Sequence, residues 1–198
     1  VRRNYFFILV SLVLLTGCSQ SPVSLPKPRS YPRIIFPEKT YQQFDTNYCH
    51  FTFEYPTYAI IERDSTYFDE KAPDDCWFNI VVPQLGSYIF CTYYPLGNKN
   101  KFDKVVNDAF QFADKHNIKA DYIDEIPIKK PGHVSGMIFN IEGAVASNFQ
   151  FYLTDSTTHF LRGALYFKTQ PKPDSLAPVI EFLKEDIVRM INTFEWKK

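Results

Sequence analysis

The stretch Phe149 to Phe167, FQFYLTDSTTHFLRGALYF, sets how the rest of the chain is read. Phe149, Phe151 and Leu153 alternate with Gln150 and Tyr152; Leu161, Gly163, Leu165 and Phe167 then alternate with Arg162 and Tyr166. A period of two marks strands, and Asp155-Ser156-Thr157-Thr158 between them is turn chemistry, since Asp and Ser side chains bond their own backbone. The stretch therefore predicts a β-hairpin. One step upstream, Val134–Ile141 carries Met137, Phe139 and Ile141 on one side, and Gly143-Ala144 turns the chain into Phe149. The result is a three-strand antiparallel meander with one covered face, and with Gln150, Tyr152, Arg162 and Lys168 pointing outward. Gly136 and Gly163 fall inside these strands, where a missing side chain makes room for a bulky neighbour or a bulge.

Working outward again, short strands are expected at Arg33–Phe36, Phe51–Pro56, Tyr58–Glu62, Trp77–Val82, Ser87–Tyr94 and Tyr122–Ile128. Tyr41 and Phe44 read as loop anchors, and Asp64–Asp75 is polar, without period, hence loop. Phe102, Val105, Val106, Ala109, Phe110 and Ala113 recur at helical spacing. They predict a helix from about Lys101 to His116, with Asn117 as its left-handed stop. His116 then sits at the negative end of the helix dipole, a favourable place for a cation. A second helix closes the chain, capped by Asp174 or Ser175, with Pro178 in its first turn and an apolar face from Leu176 to Phe194. The sum is an α+β domain: one largely antiparallel sheet of about six to eight strands with two main helices packed on it. The order of elements, from the FTFEYP opening to the C-terminal helix, loosely resembles the PsbP/Mog1-like fold, a likeness of fold only.

The chain has 198 residues, with 22 basic and 22 acidic side chains. A neutral balance speaks against nucleic acid as a partner, which calls for a basic face. Arg2 and Arg3 precede the apolar run Tyr5–Leu15, which is shorter than the roughly 20 residues of a membrane span and suits a signal-peptide core. It ends in Leu15-Thr16-Gly17-Cys18, which resembles the bacterial lipobox. Residues 1–17 are then a lipoprotein signal peptide and Cys18 is the lipidated first residue of the mature protein, with Val1 an initiator read as methionine. Several acyl chains at about 0.8 kcal/mol per buried CH2 anchor such a protein stably to a membrane. The competing reading is a plain secretory signal with a chance cysteine. Ser19 is not the aspartate associated with inner-membrane retention, and no acidic run follows Cys18. The periplasmic leaflet of the outer membrane is therefore the expected address. Residues 18–30 form a Pro-rich tether, and 31–198 a single globular domain.

Cys49, Cys76 and Cys91 remain in an oxidising compartment, so one pair and one leftover thiol are expected. Cys49 and Cys76 lie at strand edges flanking the polar stretch Arg63–Asp75 and are the expected disulfide; Cys91 reads as a small core residue. A reactive Cys49 or Cys76 is the alternative, without a CxxC motif or a basic cluster to lower a thiol pKa. The histidines His50, His116, His133 and His159 make no zinc motif, so no metal and no cofactor is expected. Asp155, Ser156 and His159 gather at one turn and raise the question of a triad. There is no GxSxG elbow to expose the serine or to supply an oxyanion hole, and turn chemistry accounts for the same residues. No catalytic residue is assigned.

Several motifs belong together. Ile141-Glu142-Gly143, Ala146-Ser147, Gln150-Phe151, Leu153-Thr154-Asp155-Ser156-Thr157 and His159–Phe167 form the most specific block. Asp174-Ser175-Leu176-Ala177-Pro178-Val179 and, upstream, Phe53-Glu54-Tyr55-Pro56 and Cys76-Trp77-Phe78-Asn79 agree with it. On these residues the chain resembles the gliding-motility lipoprotein GldD family from about Tyr31 to Trp196. Asp75 departs from the proline of that family's motif. The resemblance also implies cysteines at Cys49 and Cys76. It implies a non-enzymatic accessory lipoprotein of gliding motility and the linked type IX secretion system, with other envelope proteins of that machinery as partners. Tyr152, Asp155, His159 and Arg162, expected to face outward near the turn, are the candidate contact surface. A periplasmic small-molecule or lipid carrier, its pocket enclosed by the aromatic sheet and a helix, is the alternative function.

Overall fold

The computed structural model describes residues 33–64, 66–67, 70–71, 74–170 and 172–197. The expected signal peptide, Cys18 and the expected tether lie outside them. Ile35–Lys198 forms one compact unit.

Seven antiparallel strands make the main sheet: β3 (Ile60–Arg63), β6 (Phe78–Val82), β7 (Ser87–Pro95), β11 (His159–Phe167), β10 (Phe149–Thr154), β9 (Val134–Gly143) and β8 (Ala120–Lys130), in that spatial order. The expected α+β class and strand number hold. The meander is in place, with Leu153 opposite Leu161 and Phe151 opposite Gly163. A second sheet was not foreseen: β1 (Tyr41–Asp45), β2 (Phe51–Pro56) and β12 (Glu195–Trp196) pair as three strands. Tyr41 and Phe44 are thus strand residues and not loop anchors, while residues 33–36 form no strand. The polar stretch after Arg63 contains a two-residue hairpin, β4 (Thr66–Tyr67) with β5 (Glu70–Lys71).

Helix α1 (Phe102–Asp114) buries Val105, Ala109 and Ala113 and then tightens into a 3-10 turn, Lys115–Ile118. Asn117 does not adopt the left-handed stop; its amide donates to the Asp114 carboxylate instead. Helix α2 (Pro173–Thr193) begins earlier than expected, with Pro173 in its first turn. Pro178 therefore lies inside the helix and not in its first turn, and no side chain caps the N-terminus. The far end is capped from outside. Lys130 Nζ, reaching over from β8, donates to the carbonyls of Ile191 and Asn192 at 2.6 Å each and of Phe194 at 3.1 Å. A lysine is well suited to that task, because the last turn leaves carbonyls without partners at the negative end of the dipole.

The main core lies between α2 and the sheet. Leu183, Ile187, Met190 and Ile191 meet Ile80, Leu153, Leu161 and Leu165, and the second sheet closes the layer with Phe44, Phe51 and Phe53. Phe44 stacks on Phe53 at 4.6 Å and on Phe78 at 5.0 Å, and Phe51 on Phe194 at 5.2 Å. Each such side chain, fully buried, contributes about 1.5–3 kcal/mol. Gly163 is part of this packing: a Cβ there would sit 2.3 Å from the Phe151 ring. Cys49 and Cys76 are joined in a disulfide at the edge of this core, with 5.2 Å between their Cα atoms. Cys91 is free and buried, and burial pushes its thiol pKa up, away from reactivity.

Asp186 of α2 is buried and holds the beginning of the compact unit down. Its carboxylate accepts from Lys39 Nζ at 3.1 Å, from the Tyr41 hydroxyl at 2.9 Å and from the Tyr58 hydroxyl. Burial and that carboxylate push the Tyr41 hydroxyl up to about 12.

The meander is not covered on one face only. Every residue of β10 is buried. Phe139, Ile141, Tyr152 and Phe160 form a second cluster beneath α1, on the side opposite Phe151 and Leu153.

Candidate functional site

Asp155 shapes the turn of the hairpin. Its Oδ1 accepts the backbone N–H of Thr157 at 3.0 Å and those of Thr158 and His159 at 2.8 Å. Burial pushes the carboxyl pKa up, but the three N–H groups outweigh it and hold the value at about 2. Ser156 sits at φ 67, exposed, in the left-handed conformation that the turn requires. His159 is engaged elsewhere. Its Nδ1 lies 2.6 Å from the Tyr93 hydroxyl, and its ring stacks on Trp196 at 5.0 Å and on His50 at 5.4 Å. Burial lowers its pKa, and the neighbouring His50 adds to that while Asp155 opposes it. A triad needs an imidazole between serine and carboxylate. Here the carboxylate is spent on backbone and the imidazole on a tyrosine, so Asp155, Ser156 and His159 do not assemble one.

Nor do the four candidate contact residues share a surface. Tyr152 is buried, stacked on Phe160 at 5.2 Å beneath α1, which corrects its outward placement. Arg162 lies on the same face of the sheet, half-buried. His159 looks to the opposite face, toward Trp196, and Asp155 closes the turn between them. Alternation had placed Tyr152 and Arg162 outside because both are polar-capable, yet α1 lies over that side.

What α1 leaves open is a cleft. Between α1 and β7–β11 lies a cavity of about 640 Å³. Tyr94, Phe112 and Tyr166 supply its aromatic walls, and Lys104, Lys115 and Arg162 its positive charges. Arg162 donates to Gln150 Oε1 at 2.5 Å, and its guanidinium lies 4.7 Å from the centre of the Phe112 ring. Lys115 Nζ lies 4.9 Å from the same ring, so two cations share one aromatic side chain. His116 also lines this cavity, at the end of the helix as expected, but its surroundings work against the cationic form. Burial, and then the charge of Arg162, lower its pKa. Arg162 stands among the candidates read from the sequence, whereas Phe112, Lys104 and Lys115 do not. The available signal was a large aromatic, Phe112, just off the apolar stripe of an otherwise regular amphipathic helix.

Among the described residues, the gap between α2 and the sheet beside Ile80, Leu183 and Met190 is only about 10 Å³. Among the described residues no cluster of three or more His, Cys, Asp or Glu side chains could hold a metal ion, and no helix is long and apolar enough to cross a membrane.

A family model described as gliding motility lipoprotein GldD matches residues 21–196. The chain belongs to that family. The GldD match spans both sheets, both helices and the meander that carries its most specific motifs. Membership links the chain to gliding motility and, as a lipoprotein family, to the cell envelope. No curated protein matches. Among solved structures, the solution structure of cyanobacterial PsbP (CyanoP) from Synechocystis sp. PCC 6803 superposes at 10% identity with a TM-score of 0.47, covering 81% of this chain and 94% of that one.

Proposed function

We propose that this GldD-family chain is a lipid-anchored accessory component of gliding motility and of the type IX protein secretion linked to it. It acts by contact with other envelope proteins of that machinery and not by catalysis. The family match over residues 21–196 carries this reading. Cys18 is the residue that takes the lipid, and the periplasmic leaflet of the outer membrane is the address. Two features support contact over catalysis: the turn that gathers Asp155, Ser156 and His159 is consumed by its own hydrogen bonds, and part of the sheet is left bare. Beyond α1 the β3–β6–β7 end exposes Ile60 and Phe90, and Phe90 joins Tyr88 and Tyr166 in an aromatic group with centroid separations of 4.7 to 6.0 Å. Aromatic side chains are enriched at protein interfaces.

Deleting the gene is expected to impair gliding and the secretion of type IX cargo. Normal motility with normal secretion in the deletion sinks the proposal. Replacing Cys18 by alanine is expected to release the protein from the membrane fraction.

The carrier alternative finds no room in the α2 core. Among the described residues, the cavities of ligand size lie along α1, about 640 Å³ beside Arg162 and about 510 Å³ beside Ile123 and Glu125, and both are lined by charged side chains.

A further inference from the structure

Arg162 is a half-buried cation without a counter-ion. Around its guanidinium stand Gln150 Oε1, the Tyr94 and Tyr166 hydroxyls and the Phe112 ring, none of them a carboxylate. No described carboxylate forms an ion pair with it, although Asp108 lines the same cavity. Three other partly exposed cations, Lys39, Arg189 and Lys197, each reach a carboxylate at 2.5 to 3.1 Å. A charge drawn out of water without an opposite charge is costly, and the cost falls away when an anion arrives. Lys104 and Lys115 add to the same positive field from α1, and His116 registers it, since Arg162 helps to suppress its protonation. The guanidinium is also held in place. Gln150 is itself buried and fixes one edge, while Phe112 covers a face. A cavity of about 640 Å³ falls in the size range of small-molecule sites, roughly 300–1,000 Å³.

We propose that the cleft between α1 and β7–β11 binds a small organic anion: one acidic group on an apolar or aromatic body. Arg162 takes the acidic group through charge-assisted hydrogen bonds, with Lys104 and Lys115 as the flanking charges. Phe112, Tyr94 and Tyr166 receive the body. A free organic acid and the headgroup of an anionic lipid share this chemistry. The site is independent of the accessory role proposed above, because secretion and motility phenotypes do not depend on the cleft being a ligand site.

The test is calorimetric titration of the full chain in nonionic detergent with phenylphosphate, and separately with dihexanoyl phosphatidylglycerol below its micelle concentration. Inorganic phosphate and benzyl alcohol serve as the acid without a body and the body without an acid. Saturable one-to-one binding is expected, about tenfold or more tighter than either half-ligand, and weakened about tenfold or more by Arg162→Gln. Arg162 is half-buried, so its variant is paired with two exposed ones that spare the fold, Phe112→Ala and Lys104→Glu, each expected to weaken binding with the melting temperature unchanged. Tighter binding of phenylphosphate assigns a free acid as the source, and tighter binding of the phosphatidylglycerol assigns a lipid headgroup; either supports the site. Absence of saturable binding by both probes, or affinities that none of the three variants alters, overturns it.

Discussion

On one face of the seven-stranded sheet, α2 and the β1–β2–β12 sheet close over the strands and leave almost no space; on the other, α1 covers β9–β11 and stops. The strands are the same on both sides. The closed face carries the stacked Phe44, Phe51, Phe53, Phe78 and Phe194, with the Cys49–Cys76 bridge at its edge. The open face carries fewer apolar side chains, a half-buried arginine and a cleft. A helix of 13 residues is too short to cover seven strands, and the uncovered width becomes usable surface. Stability is concentrated on one side of the sheet, and the capacity to bind on the other.

Perturbing the closed face should be expensive. Phe194→Ala is expected to cost about 3–5 kcal/mol in urea unfolding, because it empties a buried site stacked on Phe51 and edge-on to Trp196. A cost below that of an exposed substitution would show that the α2 side is not the stabilising one. Removing the Cys49–Cys76 bridge, which spans 27 residues, should cost roughly 3–4 kcal/mol by the same measurement. Gly163→Ala drives a methyl group into the Phe151 ring and should cost about 1–3 kcal/mol, visible as a lowered melting temperature.

Acid acts on both faces at once. His159 on the closed side and His116 on the open side both have lowered pKa values. The unfolded chain therefore takes up protons first as pH falls below about 6.5, and stability present above that value is lost as pH drops toward the folded-state pKa values. His159 meets Tyr93, His50, Trp196 and the Asp155 charge; His116 feels the Arg162 charge across the cleft and lines the cavity with Lys104, Lys115 and Asp108 of its own helix and turn. Replacing either histidine by glutamine should flatten the pH dependence of the unfolding free energy; unchanged slopes in both variants would remove the effect. The smallest change is expected on the open face, where Phe112→Ala should shift stability by no more than about 0.5 kcal/mol.

Much of the closed face was legible in the sequence. The meander, the helix periodicities and the room left by Gly163 all follow from local spacing, and the cysteines flanking one polar stretch are neighbours in the fold. The open face was harder to read. Tyr152, Gln150 and Arg162 looked solvent-facing because alternation marks two sides of a strand without saying what covers either. β12 was invisible as a strand, since two residues carry no period; it exists because β2 offers an edge. Pro178 and Asn117 misled on helix ends, which local signals place only to within a few residues: α2 already starts at Pro173, and Asn117 spends its amide on Asp114.

By itself the sequence determined the α+β class, the antiparallel meander, the two amphipathic helices and the family, because each is written in spacings a few residues long or in contiguous motifs. Only the tertiary structure decided which face each helix covers, that a second sheet completes the core, and that Arg162 ends beside Phe112 in an open cleft. The physical reason is range. Period and turn chemistry act between neighbours along the chain, whereas burial, counter-charge and cavity shape depend on residues dozens of positions apart that meet only once the sheet has closed.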